Sequence, residues 1–211
     1  MTLADTNGNA TRRFVAADIT SGGDAAFGHP EPETDLAAVI VTHLVKQLEA
    51  RGDIPFYRHV PEALIPTDAV WSEFDAAEEV VMMGAPWGLH DEVNKLPLAR
   101  RGSVASYLPL DYGGKPEFVL DIAAFEGSSG SPVFLNSLME FNRETGLYHL
   151  EMRSYLLGVF KSALEAQIVQ NQKENEPNGS YPLHLGLAIK STELHALFDV
   201  IRAFAARPAA T

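Results

Sequence analysis

The sequence predicts a mostly β fold closed by one C-terminal α-helix. Three observations carry this. Short apolar runs rich in Val, Leu and Phe recur along the chain with Gly and Pro between them, the pattern of a barrel or sandwich. Asn7-Gly8 stands between two short runs near the start, where the pair supplies the backbone conformation of a tight hairpin turn. Helical periodicity sustained over several turns appears only near the end of the chain.

In chain order, "TLADTNGNATRRFVAADI" predicts an opening β-hairpin. "LAAVIV", residues 36–41, is a continuous apolar run of the length of a buried strand, and "HLVKQLEARGD" after it predicts one or two helical turns ended by Gly52. Strands are then expected within 78–86, 100–110, 116–125, 131–136, 147–161 and 184–190. "QNQKENEPNGSYP", residues 170–182, predicts a solvated loop between the last two. "STELHALFDVIRAFAARP" places Ser191 to cap a helix with Glu193 in its first turn. Its apolar face is Leu194, Leu197, Phe198, Ile201 and Phe204, a stripe that docks on the β domain, and Pro208 ends it.

The totals narrow the function. At 211 residues and 46% hydrophobic, the chain can bury a sizeable core. With 28 acidic against 16 basic residues its formal net charge is -12, which argues against nucleic acid or an anionic membrane as partner. The absence of cysteine excludes disulfides, a thiol nucleophile and thiolate metal sites. No metal ligand set or cofactor is read from the sequence. "MTLADTNGNATRRF" has no apolar core of a secretion signal and no apolar stretch reaches the roughly 20 residues of a membrane span. The chain is therefore expected in the cytoplasm.

One loop concentrates the chemistry. "FEGSSGSPVF" brings Gly127, Ser128, Ser129, Gly130 and Ser131 together just before an apolar run. Gly and Ser clusters are turns more often than sites. The nucleophile elbow of α/β-hydrolases is excluded, because it needs Gly two residues after the serine and a helix following, whereas Ser131 and a strand-like run stand there. Gly-x-Ser-Gly-x-Pro between two strands is instead the order in which backbone N–H groups of a glycine and a serine converge on a developing oxyanion. Gly127, Ser129, Gly130 and Pro132 stand in that order. A nucleophile also needs a base and an orienting carboxylate. Asp35, at the mouth of the "LAAVIV" run, is the candidate carboxylate, although an Asp before a strand is often only a turn residue.

Read in series, "HPEPETDLAAVI" (29–40), "VVMMGAPWGLHD" (80–91), "PLARRGSVAS" (97–106), "FVLDIAAFEGSSGSPVF" (118–134), "LLGVF" and "HLGLAIKS" resemble the trypsin-like, chymotrypsin-fold serine peptidases, in their bacterial-type, cysteine-free branch. The likeness runs over nearly the whole chain. It implies a double β-barrel with the active site in the cleft between barrels, a C-terminal helix, and a peptide or protein substrate. Residues 1–75 would then be a remnant of an N-terminally truncated first barrel with the inter-barrel connection, 76–190 the second barrel and 191–207 the helix. Ser129 would be the nucleophile, Asp35 the orienting carboxylate, and the N–H groups of Gly127 and Ser129 the oxyanion hole. Ala123, six residues before Ser129, would form the base of the specificity pocket. No carboxylate stands there, so a preference for Arg or Lys is not expected. Asp121, two residues earlier, is expected to point elsewhere. Ser128 replaces the aspartate that pairs with a newly cut N-terminus in zymogen-activated members. Arg100, Arg101 and Asp91 are expected to make surface or structural contacts, and Trp87 to lie beside the cleft.

The resemblance lacks one part. The family's base is a histidine upstream of the aspartate, on a loop after a strand, and nothing in this sequence matches that segment. His29 matches a non-catalytic position of the pattern, while His43, His59, His90, His149, His184 and His195 read as surface or packing residues. Ser129 then has no partner to take its proton. The chain as written is expected to be inactive alone, with a start placed downstream of the true one explaining both the missing strands and the missing base. Two other readings stay open: a non-catalytic peptide-binding module that has lost its triad, and a β-barrel binding protein in which the serine loop is a plain turn.

Overall fold

A computed structural model describes residues 1–15, 26–142, 147–167 and 180–206, with side chains outside 138–152 and 166–182. The chain divides into two compact units. One comprises Met1–Pro61, Leu89–Leu98 and Thr192–Thr211, the other Glu62–Gly88 and Ala99–Ser191.

In the first unit, β1 (Thr2–Ala4) and β2 (Ala10–Phe14) pair antiparallel around a turn in which Gly8 has φ 79°. This is the hairpin expected from Asn7-Gly8. The Asp5 carboxylate accepts from the N–H groups of Asn7 and Asn9, and these bonds, Asn9's first, hold its pKa below the ordinary 3.8. β3 (Ala26–Gly28) pairs with β4 (Ala37–Val39) as a separate two-stranded sheet. The expected buried strand of 36–41 is thus only three residues long, and both of its end residues are exposed. A lone strand pair has too few neighbours to cover both faces, so an apolar composition does not bury it. α1 (Thr42–Ala50) follows as expected, with Leu48 buried and Gly52 just beyond its end.

The second unit begins with a short helix, α2 (Asp68–Trp71), capped by the Thr67 side chain at the N–H of Val70. Its strands are β5 (Glu79–Gly84), β6 (Leu98–Val104, entering from the first unit), β7 (Glu117–Asp121), β8 (Pro132–Asn142), β9 (Leu147–Gln167) and β10 (Ser180–Lys190). They close into one six-stranded barrel in the order β10-β7-β6-β5-β8-β9. Alternating side chains of β5 (Val80, Met82), β7 (Phe118, Leu120) and β8 (Val133, Leu135) fill its interior, and β9 adds Leu157 and Phe160, three residues apart where its pairing with β8 shifts register. Trp71 and Phe74 join this core from α2 and the turn after it, edge-on to each other at 5.5 Å. Most of the 170–182 segment expected as a loop lies outside the described residues, and 180–182 belong to β10.

The buried Glu117 and Lys190 of the barrel unit are each in an ion pair. Lys161 donates to Glu117 at 2.8 Å, and Arg153 to Glu78 at 3.2 Å. Lys190 donates to Asp111 at 2.6 Å while its ammonium sits 5.4 Å from the centre of the Trp71 ring.

The C-terminal helix α3 (Leu194–Ala205) belongs to the first unit and contacts β3, with Phe204 edge-on to Phe27 at 5.0 Å. The expected Ser191 cap is not made. Residues Ser191–Glu193 form a 3-10 turn, Glu193 takes the cap position without a side-chain bond, and the buried Ser191 hydroxyl has no hydrogen-bond partner among the described residues. Pro208 lies outside the described residues. Among the described residues no helix is long and apolar enough to cross a membrane. The protein is thus mostly β, with one closed barrel and a C-terminal helix.

Candidate functional site

The serine loop joins β7 to β8 at one end of the barrel. Phe118 and Leu120 anchor β7 in the core, and beyond Asp121 the buried Ile122 and Ala124 alternate with an exposed Ala123. Asp121 and Ala123 therefore share the exposed side, which corrects the expectation that Asp121 points away from Ala123; residues two apart in extended chain face the same way. The loop then turns, with Ser128 N–H donating to Phe125 O at 3.1 Å and Ser131 N–H to Ser128 O at 3.1 Å. It is tied to β9 on both sides of Gly130: Gly130 N–H donates to Phe160 O at 2.9 Å, and Phe160 N–H to Ser131 O at 2.8 Å.

Ser129 sits exposed at the apex, and its hydroxyl donates to the carbonyl oxygen of Lys161 at 2.7 Å. Gly127 and Gly130 adopt φ 79° and 85°, the left-handed region that glycine enters at least cost. The amides of Ser128, Gly130 and Ser131 are all bonded to main-chain acceptors. Among the described residues those of Gly127 and Ser129 have no protein acceptor. These are the two amides expected to serve as oxyanion donors.

Beneath the loop, Ser128 is fully buried and its hydroxyl accepts from Arg100 Nη2 at 2.9 Å, while Nη1 of the same guanidinium donates to Ala123 O at 2.6 Å. Burial lowers the pKa of Arg100, although a guanidinium stays charged at any physiological pH. On the other flank, Trp87 N–H donates to Glu126 O at 2.6 Å, which places the Ala85–Gly88 turn against Gly127. Trp87 has φ 50° and ψ 27°, an uncommon conformation for a bulky residue, and its indole is 70% exposed on the Phe125 ring at 4.7 Å.

Asp35 belongs to the first unit, is exposed, and accepts no hydrogen bond among the described residues. His29, also in the first unit, has its ring covered though the residue is only half-buried: Nδ1 accepts from Glu31 N–H at 3.1 Å, and Nε2 lies 3.3 Å from the Glu193 carboxylate without hydrogen-bond alignment. Its ring is thus held by residues of the first unit. No protein-family model, curated protein or solved structure matches the chain.

The site's chemistry therefore rests on its own geometry. An exposed hydroxyl beside two uncommitted amides can be presented to an acyl or phosphoryl centre. Its proton faces a main-chain carbonyl, which orients the hydroxyl but cannot accept the proton. Among the described residues no group of three His, Asp or Glu side chains is placed to hold a metal ion. A separate pocket of about 270 Å³, lined in part by Glu79, Arg101, Ser103 and Asn136, lies on β5, β6 and β8 and includes no residue of the serine loop.

Sequence reasoning assigned Arg100 only a structural contact. It did not single out Phe125 or the Lys161 carbonyl. A signal for Arg100 exists in the alternation Arg100, Gly102, Val104, which puts a cation in register with the buried Val104, but its partners on another strand are not readable from it.

Proposed function

We propose that this chain is a serine hydrolase of the endopeptidase type. Ser129 is its nucleophile, the amides of Gly127 and Ser129 its oxyanion hole, and Ala123 the floor of its specificity pocket. The observation that carries the reading is in the loop itself: the amides of Ser128, Gly130 and Ser131 are bonded to main-chain acceptors, while those of Gly127 and Ser129, close in sequence to the exposed hydroxyl, have no protein acceptor among the described residues. Such preorganised donors in a rigid loop stabilise charge that develops only as the bond forms. The resemblance of the sequence motifs adds Asp35 as orienting carboxylate. It also adds the double-barrel architecture, in which the six-stranded barrel is the second of the pair and the short strand pairs of the first unit belong to the other.

The base is the missing element. No histidine stands at the position where the family carries it, and Ser129 donates to Lys161 O instead. Hydrolysis is accordingly expected at a rate roughly 10⁶-fold below that of a complete triad. A fluorophosphonate probe with peptide mapping tests this. Slow labelling confined to Ser129 and lost in Ser129→Ala is the expected result, and labelling elsewhere, or none above the Ser129→Ala background, rejects Ser129 as the nucleophile.

A second reading, a peptide-binding module without catalysis, draws on two observations: the hydroxyl bonded to a carbonyl, and the exposed Trp87 lying against the half-buried Phe125 beside the loop. Saturable peptide binding that is weakened by Trp87→Ala, without any labelling of Ser129, selects that reading.

A further inference from the structure

We propose that Arg100 is a positioning residue for the serine loop, one guanidinium holding Ala123 and Ser128 at a fixed separation and so setting the backbone between them. The two terminal nitrogens reach two acceptors on either side of the turn that contains Gly127: Ala123 O at 2.6 Å and Ser128 Oγ at 2.9 Å. Ser128 in turn accepts from Ser131 N–H through its carbonyl, so the anchor continues to the far side of Ser129.

Three features mark this as a built contact. Ser128 is fully buried, so its hydroxyl has no solvent alternative to Arg100. Both acceptors are neutral, and among the described residues no carboxylate pairs with Arg100. A half-buried cation without a counter-charge is unfavourable by itself, and its pKa is lowered by that burial. The planar fork of a guanidinium also fixes two acceptors relative to each other, which the single point of a lysine ammonium cannot do. Gly127 is thus held at positive φ between two pinned points, and the amides at 127 and 129 keep their direction before any substrate arrives. The effect on the loop stands alone, and only its consequence for reaction rate rests on Ser129 being the nucleophile.

Hydrogen exchange on the full chain tests the loop directly. In Arg100→Ala the amides of Ser128, Gly130 and Ser131 exchange roughly 10- to 100-fold faster, the range expected for losing a hydrogen bond to a charged group, while Ala105 N–H, bonded to Val119 O, keeps its protection. Millimolar guanidinium, far below denaturing levels, restores protection in Arg100→Ala and changes nothing in the parent. Arg100→Lys stays loosened. If Arg100→Ala does not fold, Ser128→Ala removes one arm of the bridge and loosens Ser131 alone by the same measure. In phosphonate labelling, the bond-forming rate of Arg100→Ala falls by a similar factor while the reversible affinity holds within twofold. Unchanged exchange at 128, 130 and 131, or a uniform loss across the barrel that guanidinium does not restore, overturns the proposal. Loosened exchange together with an inert Ser129 in the parent keeps the positioning role and removes the hydrolase reading.

Discussion

Gly127 and Gly130 share a backbone conformation but not an environment. A Cβ on Gly127 would stand 2.9 Å from the amide nitrogen of Trp87 and 3.2 Å from Ala85 O, both main-chain atoms, whereas one on Gly130 would meet nothing within 4 Å. Gly130→Ala is therefore expected to cost only the left-handed strain, about 1 kcal/mol. Gly127→Ala must also push two loops apart and is expected to cost about 2–3 kcal/mol; urea denaturation of the two variants checks the difference. The identity of the loop residues was legible in the sequence because the spacing Gly127, Ser129, Gly130, Pro132 is local. What holds them was not. Arg100, Lys161 and Trp87 reach the loop from other strands and turns, and no local pattern reports which carbonyl or hydroxyl a side chain will meet.

Among the elements, each of the six barrel strands overlaps a short apolar run expected as a strand, but β8 and β9 run past their expected ends and β10 starts at Ser180, inside the segment expected as a loop. The composition of "LAAVIV" predicts burial, yet burial depends on what a strand pairs with, and among the described residues β4 pairs with β3 alone. The place of Ser191 before a periodic run predicts a cap, but its full burial and the 3-10 turn take it out of capping geometry. The apolar face of α3 is buried in part: Leu197 is 1% exposed, whereas Phe204 near its end is 46% exposed. Leu197→Ala is expected to destabilise the first unit by about 2–4 kcal/mol. Faster hydrogen exchange in α3 and β3, with that of the barrel core unchanged, is the outcome that checks it.

For the whole molecule, the net charge of -12 sets a solution property that no single contact shows. Raising salt from about 10 mM to 150 mM shortens the screening length from about 30 Å to 8 Å and relieves the self-repulsion of the acidic surface. The melting temperature is expected to rise by about 2–4 °C. A fall would show instead that attractive pairs such as Arg153 with Glu78 outweigh the surface repulsion. By itself the sequence determined the β class, the barrel strands, the C-terminal helix and the residues of the serine loop, since each follows from spacing within a short stretch of chain. Only the tertiary structure decided that the described strands close one barrel and leave two separate pairs, that Arg100 lies beneath Ser128, and that the Ser129 hydroxyl meets a carbonyl. Those outcomes depend on which distant segments pair, and strand pairing and burial are settled by the assembled chain rather than by any segment of it.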